Sequence, residues 1–160
     1  MQTLTHKHLT TLTLTVGFDT MISVGRTPAG HRRIATVTGG TFRGERLSGT
    51  VLGGADWVLN RPDGVMMIDV RLTLNSGDGA QIYLSYQGRF LAPPESMARF
   101  AQGGLLAPAD YSLVITAKFE CGDQRYHWLN NVVAVGTGEQ TRSGPIYTIY
   151  EIGGSAGTGS

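Results

Sequence analysis

Asp56, Asp69, Arg71 and Tyr83 are the side chains of this sequence best suited to moving a proton. Two carboxylates brought face to face cannot both ionise cheaply, so one holds its proton to higher pH while a nearby arginine keeps the other charged. The protonated member can give a proton, its ionised neighbour can take one, and a tyrosine hydroxyl can polarise a carbonyl or enolate oxygen. That equipment serves isomerisation, cyclisation, elimination or retro-aldol chemistry without a cofactor. Trp57, Tyr126 and Trp128 are the large aromatics able to wall a pocket beside such a set, although rings of this kind more often pack a core or its rim. Asn130 stands among Leu129, Val132 and Val133 and needs a hydrogen-bond partner if it is buried, a role for which Asn131 competes.

Whether the four polar residues meet depends on strands. Leu12, Leu14 and Val16 alternate with threonines; Ile68, Val70, Leu72 and Leu74 alternate with Asp69, Arg71 and Thr73; Ile82, Leu84 and Tyr86 alternate with Tyr83, Ser85 and Gln87. Turn signals separate these runs, among them Gly39-Gly40, Gly53-Gly54, Arg61-Pro62-Asp63-Gly64, Ser76-Gly77-Asp78-Gly79 and Ser143-Gly144-Pro145. The pattern predicts an all-β, antiparallel barrel or sandwich of about eight or nine strands. It adds one short helix, started by Pro94 and Glu95, stopped by Gly103-Gly104, and plugging one end of the fold.

Paired residues of an antiparallel ladder point to the same side of the sheet. A four-residue turn over Arg61–Gly64 pairs Asn60 with Val65, which sets Trp57 against Ile68 and Asp56 against Asp69. Placing Leu74 opposite Ala80 then sets Arg71 against Tyr83 and Asp69 against Ser85, so that Asp56, Asp69, Arg71 and Tyr83 form one cluster. The competing arrangement is a solvated network, because the polar face of a half-exposed sheet looks at water.

Composition narrows the classes. With 160 residues, 16% of them charged, a net charge of +1 and scattered basic residues, the chain suits a single domain and lacks the basic footprint of a nucleic-acid or membrane-surface binder. Cys121 is the only cysteine, which excludes an internal disulfide and a CxxC site and predicts a reducing, cytoplasmic setting. The first residues lack the charged segment and apolar run of a signal peptide. His6, His8, His31 and His127 have no partners at metal-ligand spacing, so no metal is expected; no Gly-x-Ser-x-Gly or phosphate-binding loop occurs either.

The runs Val24-Gly25-Arg26-Thr27-Pro28-Ala29-Gly30, Gly39-Gly40-Thr41-Phe42, Gly53-Gly54-Ala55-Asp56-Trp57, Arg61-Pro62-Asp63-Gly64, Asp78-Gly79-Ala80-Gln81-Ile82-Tyr83, Tyr126-His127-Trp128-Leu129-Asn130 and Gly136-Thr137-Gly138 together resemble a domain-of-unknown-function family of small β-barrels. The resemblance covers about residues 8 to 152. It implies a single closed antiparallel barrel of about eight strands, similar to allene oxide cyclase, with a lumen open at one end and a homodimeric state. It also implies that Asp56, Trp57, Arg71, Tyr83, Tyr126, Trp128 and Asn130 belong to the family signature and that several line a pocket. The expected organisation is a barrel domain over 8–152, an N-terminal extension over 1–7 and a flexible tail over 153–160. The expected function is a cofactor-independent isomerase, cyclase or lyase acting on a small apolar, aromatic or enone-like metabolite. Asp56 and Asp69 would share proton transfer, Arg71 and Tyr83 would hold developing charge, and Trp57, Tyr126, Trp128 and Asn130 would contact substrate. The alternative is a non-catalytic barrel that binds or carries a small molecule.

Overall fold

The structure is a computed structural model and describes residues 3–154. Eight strands follow one another around a closed antiparallel barrel: β1 (Leu4–Thr27), β2 (Gly30–Arg43), β3 (Gly49–Asn60), β4 (Met66–Ser76), β5 (Gln81–Leu91), β6 (Ser112–Glu120), β7 (Ala134–Gln140) and β8 (Pro145–Gly154). The alternation expected from sequence is the alternation observed. In β4, Ile68, Val70, Leu72 and Leu74 are buried inside the barrel, and Arg71 and Thr73 are exposed on its wall. Leu12, Phe42, Leu74, Leu84, Phe90 and Ile149 are wholly buried and fill the interior, which is therefore a packed core over much of its length.

The sheet extends beyond the expected 8–152 boundary at both ends, because Leu4 pairs with Gly154 and Lys7 with Glu151. The expected extension thus contributes residues 4–7 to β1. The expected tail beyond Gly154 lies outside the described residues.

The end of the barrel that carries the β1–β2, β3–β4, β5–β6 and β7–β8 connections is here called the upper end. Helix α1 (Pro94–Ala101) lies in the β5–β6 connection, with Pro94 and Glu95 in its first turn. The Phe100 ring stacks on Phe90 at 5.1 Å between centroids, and Phe90 stacks on Tyr111 at 4.9 Å. Because Phe90 points into the barrel, this aromatic stack places α1 over part of the upper end, as the sequence predicts. The ring of strands is not paired along its full height. Thr13 pairs with Ile146, the Val16 amide donates to the Ser143 carbonyl, and β1 beyond that point is paired with β2.

The register around Asp56 differs from the expected one. The β3–β4 connection uses five residues: the Arg61 amide donates to the Val65 carbonyl at 2.9 Å, the Gly64 amide donates to the Arg61 carbonyl at 3.0 Å, and Arg61 pairs with Asp63 inside the turn. Asn60 therefore pairs with Met66, and Asp56 pairs with Val70. The expected Trp57–Ile68 and Asp56–Asp69 pairs do not form. A slip of one residue moves a side chain to the other face, so Asp56 lies on the inner face and Asp69 on the outer. A bulge between Val51 and Gly53 returns the lower half of β3 to the expected register, with Val51 opposite Leu74, and lets both halves keep their apolar side inward.

The β4–β5 hairpin is offset by two residues, with Leu74 opposite Ile82, Arg71 opposite Ser85, Asp69 opposite Gln87 and Thr73 opposite Tyr83. An even offset leaves parity intact, so Asp69, Arg71 and Tyr83 still share a face, and that face is the outside wall.

Gly54, at the junction of the two β3 registers, holds φ at +155°, and a Cβ there would stand 2.0 Å from the Arg71 carbonyl oxygen. Gly54→Ala is expected to cost about 2–4 kcal/mol in urea unfolding, whereas Gly122→Ala, in open space, should stay within about 0.5 kcal/mol of the parent.

Candidate functional site

Asp56 belongs to a cross-strand row made of Ala35, Val70, Tyr86, Ala117 and Ala134. Every other member of that row is buried, and three are alanines. Asp56 is densely enclosed by protein yet keeps part of its surface open to solvent, the combination found on the wall of a cleft. Its Oδ1 accepts the Asp69 amide at 3.1 Å. Burial pushes the carboxyl up to about 7; the Asp69 charge adds to the rise, while the backbone hydrogen bond, Arg33 and Arg32 oppose it. At neutral pH the group is poised between acid and base, as proton transfer in both directions requires.

Behind it, Tyr86 and Tyr147 are fully buried with ring centroids 5.0 Å apart. Burial holds both phenols above their ordinary range, and the Asp56 charge raises both further, so they remain neutral. Towards the upper opening, the odd-numbered residues of β2 face inward. Arg33 pairs with Val58, donates to Asn60 Oδ1 at 2.6 Å, and lies 3.8 Å from the sulfurs of Met21 and Met66. His31 is hydrogen-bonded to Ser23 at 2.9 Å nearer the rim. Burial lowers the Arg33 pKa, and the Asp56 charge opposes that shift.

The remaining residues singled out from sequence do not join Asp56. Asp69 and Arg71 form a 3.8 Å ion pair on the outer wall, with side chains 33% and 48% exposed, and the Arg71 guanidinium lies 5.0 Å from the Trp57 ring centre. This is the solvated network: β4 turns Ile68, Val70 and Leu72 inward and these two residues outward, and the one-residue change of register removes Asp56 from it. Tyr83, 38% exposed, lines a shallow outer groove of about 730 Å³ with Glu120, Cys121, His127 and Asn130. Tyr126 and Trp128 line a second groove, of about 430 Å³, at the lower end with Arg46, Asp78 and Arg125. Tyr126 donates to Asp78 at 2.9 Å, and the Arg46 guanidinium sits 4.4 Å from the Trp128 ring centre.

Asn130 is a clamp. Its Oδ1 accepts from the Cys121 amide at 3.0 Å, and its Nδ2 donates to the Cys121 and His127 carbonyls at 2.8 and 3.0 Å. These bonds tie the 3-10 segment Gln124–Asn131 to the end of β6. The polar groups that sequence reasoning missed are Arg33, Tyr86 and Tyr147. Arg33 shares its parity with Ala35 and Val37, and Tyr86 shares its parity with Ile82 and Leu84, so the inward signal was present for both.

Residues 5–152 match the profile of the family described as "Protein of unknown function (DUF3237)". The chain belongs to the DUF3237 family. Its fold is that of a solved β-barrel-like protein from Acinetobacter baumannii, with 35% identity, a TM-score of 0.82, and coverage of 94% of this chain and 97% of that one. A UPF0311 protein of Rhodopseudomonas palustris is 28% identical over 151 residues, 94% of this chain and 97% of its own length. The solved protein of unknown function from that organism has a TM-score of 0.88. The hydroalkoxylation enzyme phnH of Penicillium herquei is 30% identical over 106 residues, 66% of this chain and 56% of its own. A solved enzyme from Penicillium herquei, 23% identical, shares the fold with a TM-score of 0.71.

The raised carboxyl gives this DUF3237 barrel a specific pH signature. Asp56 binds its proton more tightly folded than unfolded, where its value is the ordinary 3.8, so its stabilising contribution is complete below that value and is lost as pH rises through about 7. Asp56→Asn should therefore gain stability relative to the parent between about pH 4 and about pH 8, by on the order of 2–4 kcal/mol. Urea unfolding of both proteins across that range measures the difference.

Proposed function

We propose that this barrel is a cofactor-independent acid/base enzyme, a cyclase, isomerase or lyase, acting on a small and largely apolar molecule in the upper lumen. The observation that carries the reading is Asp56: an inward-facing, partly solvent-accessible carboxyl with its pKa pushed up to about 7. The similarity to a hydroalkoxylation enzyme supports it and suggests the reaction type.

In such an addition, an O–H bond of the substrate and the π bond of an activated C=C break, and a new C–O bond and C–H bond form. The sum is redox-neutral, so the protein must supply a proton path and a fixed geometry. Protonated Asp56 gives its proton to the alkene carbon and recovers one from the attacking hydroxyl, ending as it began. The reverse sequence is an elimination. Asp69 holds the Asp56 carboxyl through its backbone amide. The proton-sharing role considered for Asp69 therefore passes to Asp56 alone.

Ortho-prenylated phenols carry a hydroxyl and an alkene on one apolar frame and can be assayed for a cyclic isomer of unchanged mass. Turnover of a responsive member should fall by about 10²–10⁴-fold in Asp56→Asn and remain within about threefold of the parent in Asp69→Asn. Full turnover by Asp56→Asn would remove the carboxyl from the mechanism. Saturable binding with no product from any hydroxy-alkene would make the barrel a carrier.

A further inference from the structure

We propose that the upper lumen is built to receive a delocalised anionic oxygen, a carboxylate, phenolate or enolate borne on an apolar frame, with Arg33 as its anchor. The inference rests on the reading of the upper lumen as the ligand site and adds the class of ligand.

A guanidinium has five N–H donors and a charge that costs free energy to enclose unless it is paired. Arg33 has one strong acceptor, Asn60 Oδ1 at 2.6 Å. Its next neighbours are the thioether sulfurs of Met21 and Met66, each 3.8 Å away, which are weak acceptors without charge. Its Nε is buried and has no hydrogen-bond partner, alone in that respect among the buried side-chain nitrogens and oxygens of the described residues. Asp56 influences Arg33 through space but makes no ion pair with it among the described residues, its ordered oxygen being committed to the Asp69 amide.

The outcome is an inward-facing cation without an ion-pair partner among the described residues, set between Val58 and two methionines on one side and the neutral polar side chains of Asn60 and of Ser23, the cross-strand neighbour of Arg33, on the other. Planar oxyanions match the guanidinium fork, and the methionine surroundings suit an aromatic or conjugated body. For an acid/base reaction at Asp56, an oxyanion held by Arg33 and conjugated to the reacting carbons would keep the charge fixed at one end while the proton moves at the other.

Calorimetric titration tests this with two pairs of probes: naphthoate against naphthamide, and para-nitrophenolate against para-nitroanisole. The first pair reports a carboxylate site and the second a phenolate or enolate site. In the parent protein at least one anion should bind about tenfold or more tightly than its neutral partner, Arg33→Met should erase that preference, and Arg33→Lys should keep part of it. The parent comparison needs no variant to fold. Equal binding within both pairs, binding of none of the four, or a preference that survives in Arg33→Met would overturn the proposal. Asp56→Asn separates this inference from the catalytic one, because the anion preference should persist there when turnover does not. Loss of preference in Asp56→Asn with Arg33 intact would also count against Arg33 as the anchor.

Discussion

A carboxyl group can be carried on the inside of a small barrel only if the backbone holds it there. Here one amide does so: the Asp69 N–H donates to Asp56 Oδ1, and that bond exists because Asp56 pairs with Val70 rather than with Asp69. The pairing follows from a five-residue connection between β3 and β4, closed by its own hydrogen bond from Arg61 to Val65. Had the connection been one residue shorter, Trp57 would face the lumen and Asp56 would face solvent, and the interior would lose its titratable group. The raised pKa of Asp56 and its through-space coupling to Arg33 depend on that single step of register.

The barrel accommodates this arrangement by dividing labour along its axis. The lower half is filled by large apolar side chains such as Phe42, Leu74 and Ile82, which supply cohesion. In the upper half Ile68, Phe90, Leu113 and Tyr147 are buried as well, and Asp56 and Arg33 share that inner face with them. The bulge between Val51 and Gly53 separates the two regimes, reversing the parity of β3 so that each half presents its own kind of inner face. An apolar base and an upper part that also carries a carboxyl and an arginine thus coexist in one continuous sheet.

Much of the architecture was legible in the sequence, because period-two alternation and glycine turns are local signals. The strand identities of β4 and β5, the shared face of Asp69, Arg71 and Tyr83, and the start and stop of α1 were all readable. Whether Asp56 shares that face was not, because it is decided by whether Val65 belongs to the turn or to the strand, and an apolar residue after Asp-Gly gives no local indication. The bulge at Leu52 was equally silent, since neither Gly53 nor Gly54 announces a change of parity by type alone. Asn130 was recognised as needing partners, and the partners proved to be backbone groups of Cys121 and His127 rather than a ligand. Tyr86 stands in register with Ile82 and Leu84 as a core position does, and Arg33 and Tyr147 belong to no motif that marks them as interior polar groups.

Not every seam of the cylinder is equally long. Strands β6 and β7 meet only over Val114–Ala117 and Ala134–Thr137, while β1 and β2 remain paired from Thr11–Arg43 to the Thr27–Gly30 turn. A closed hoop parts where its stitching is shortest, so transient breathing should concentrate between these two strands and leave the remaining seven seams intact. Such an opening would admit water beside Ala117 and Ala134, without unfolding the β3–β4 hairpin that holds the Asp56 carboxyl.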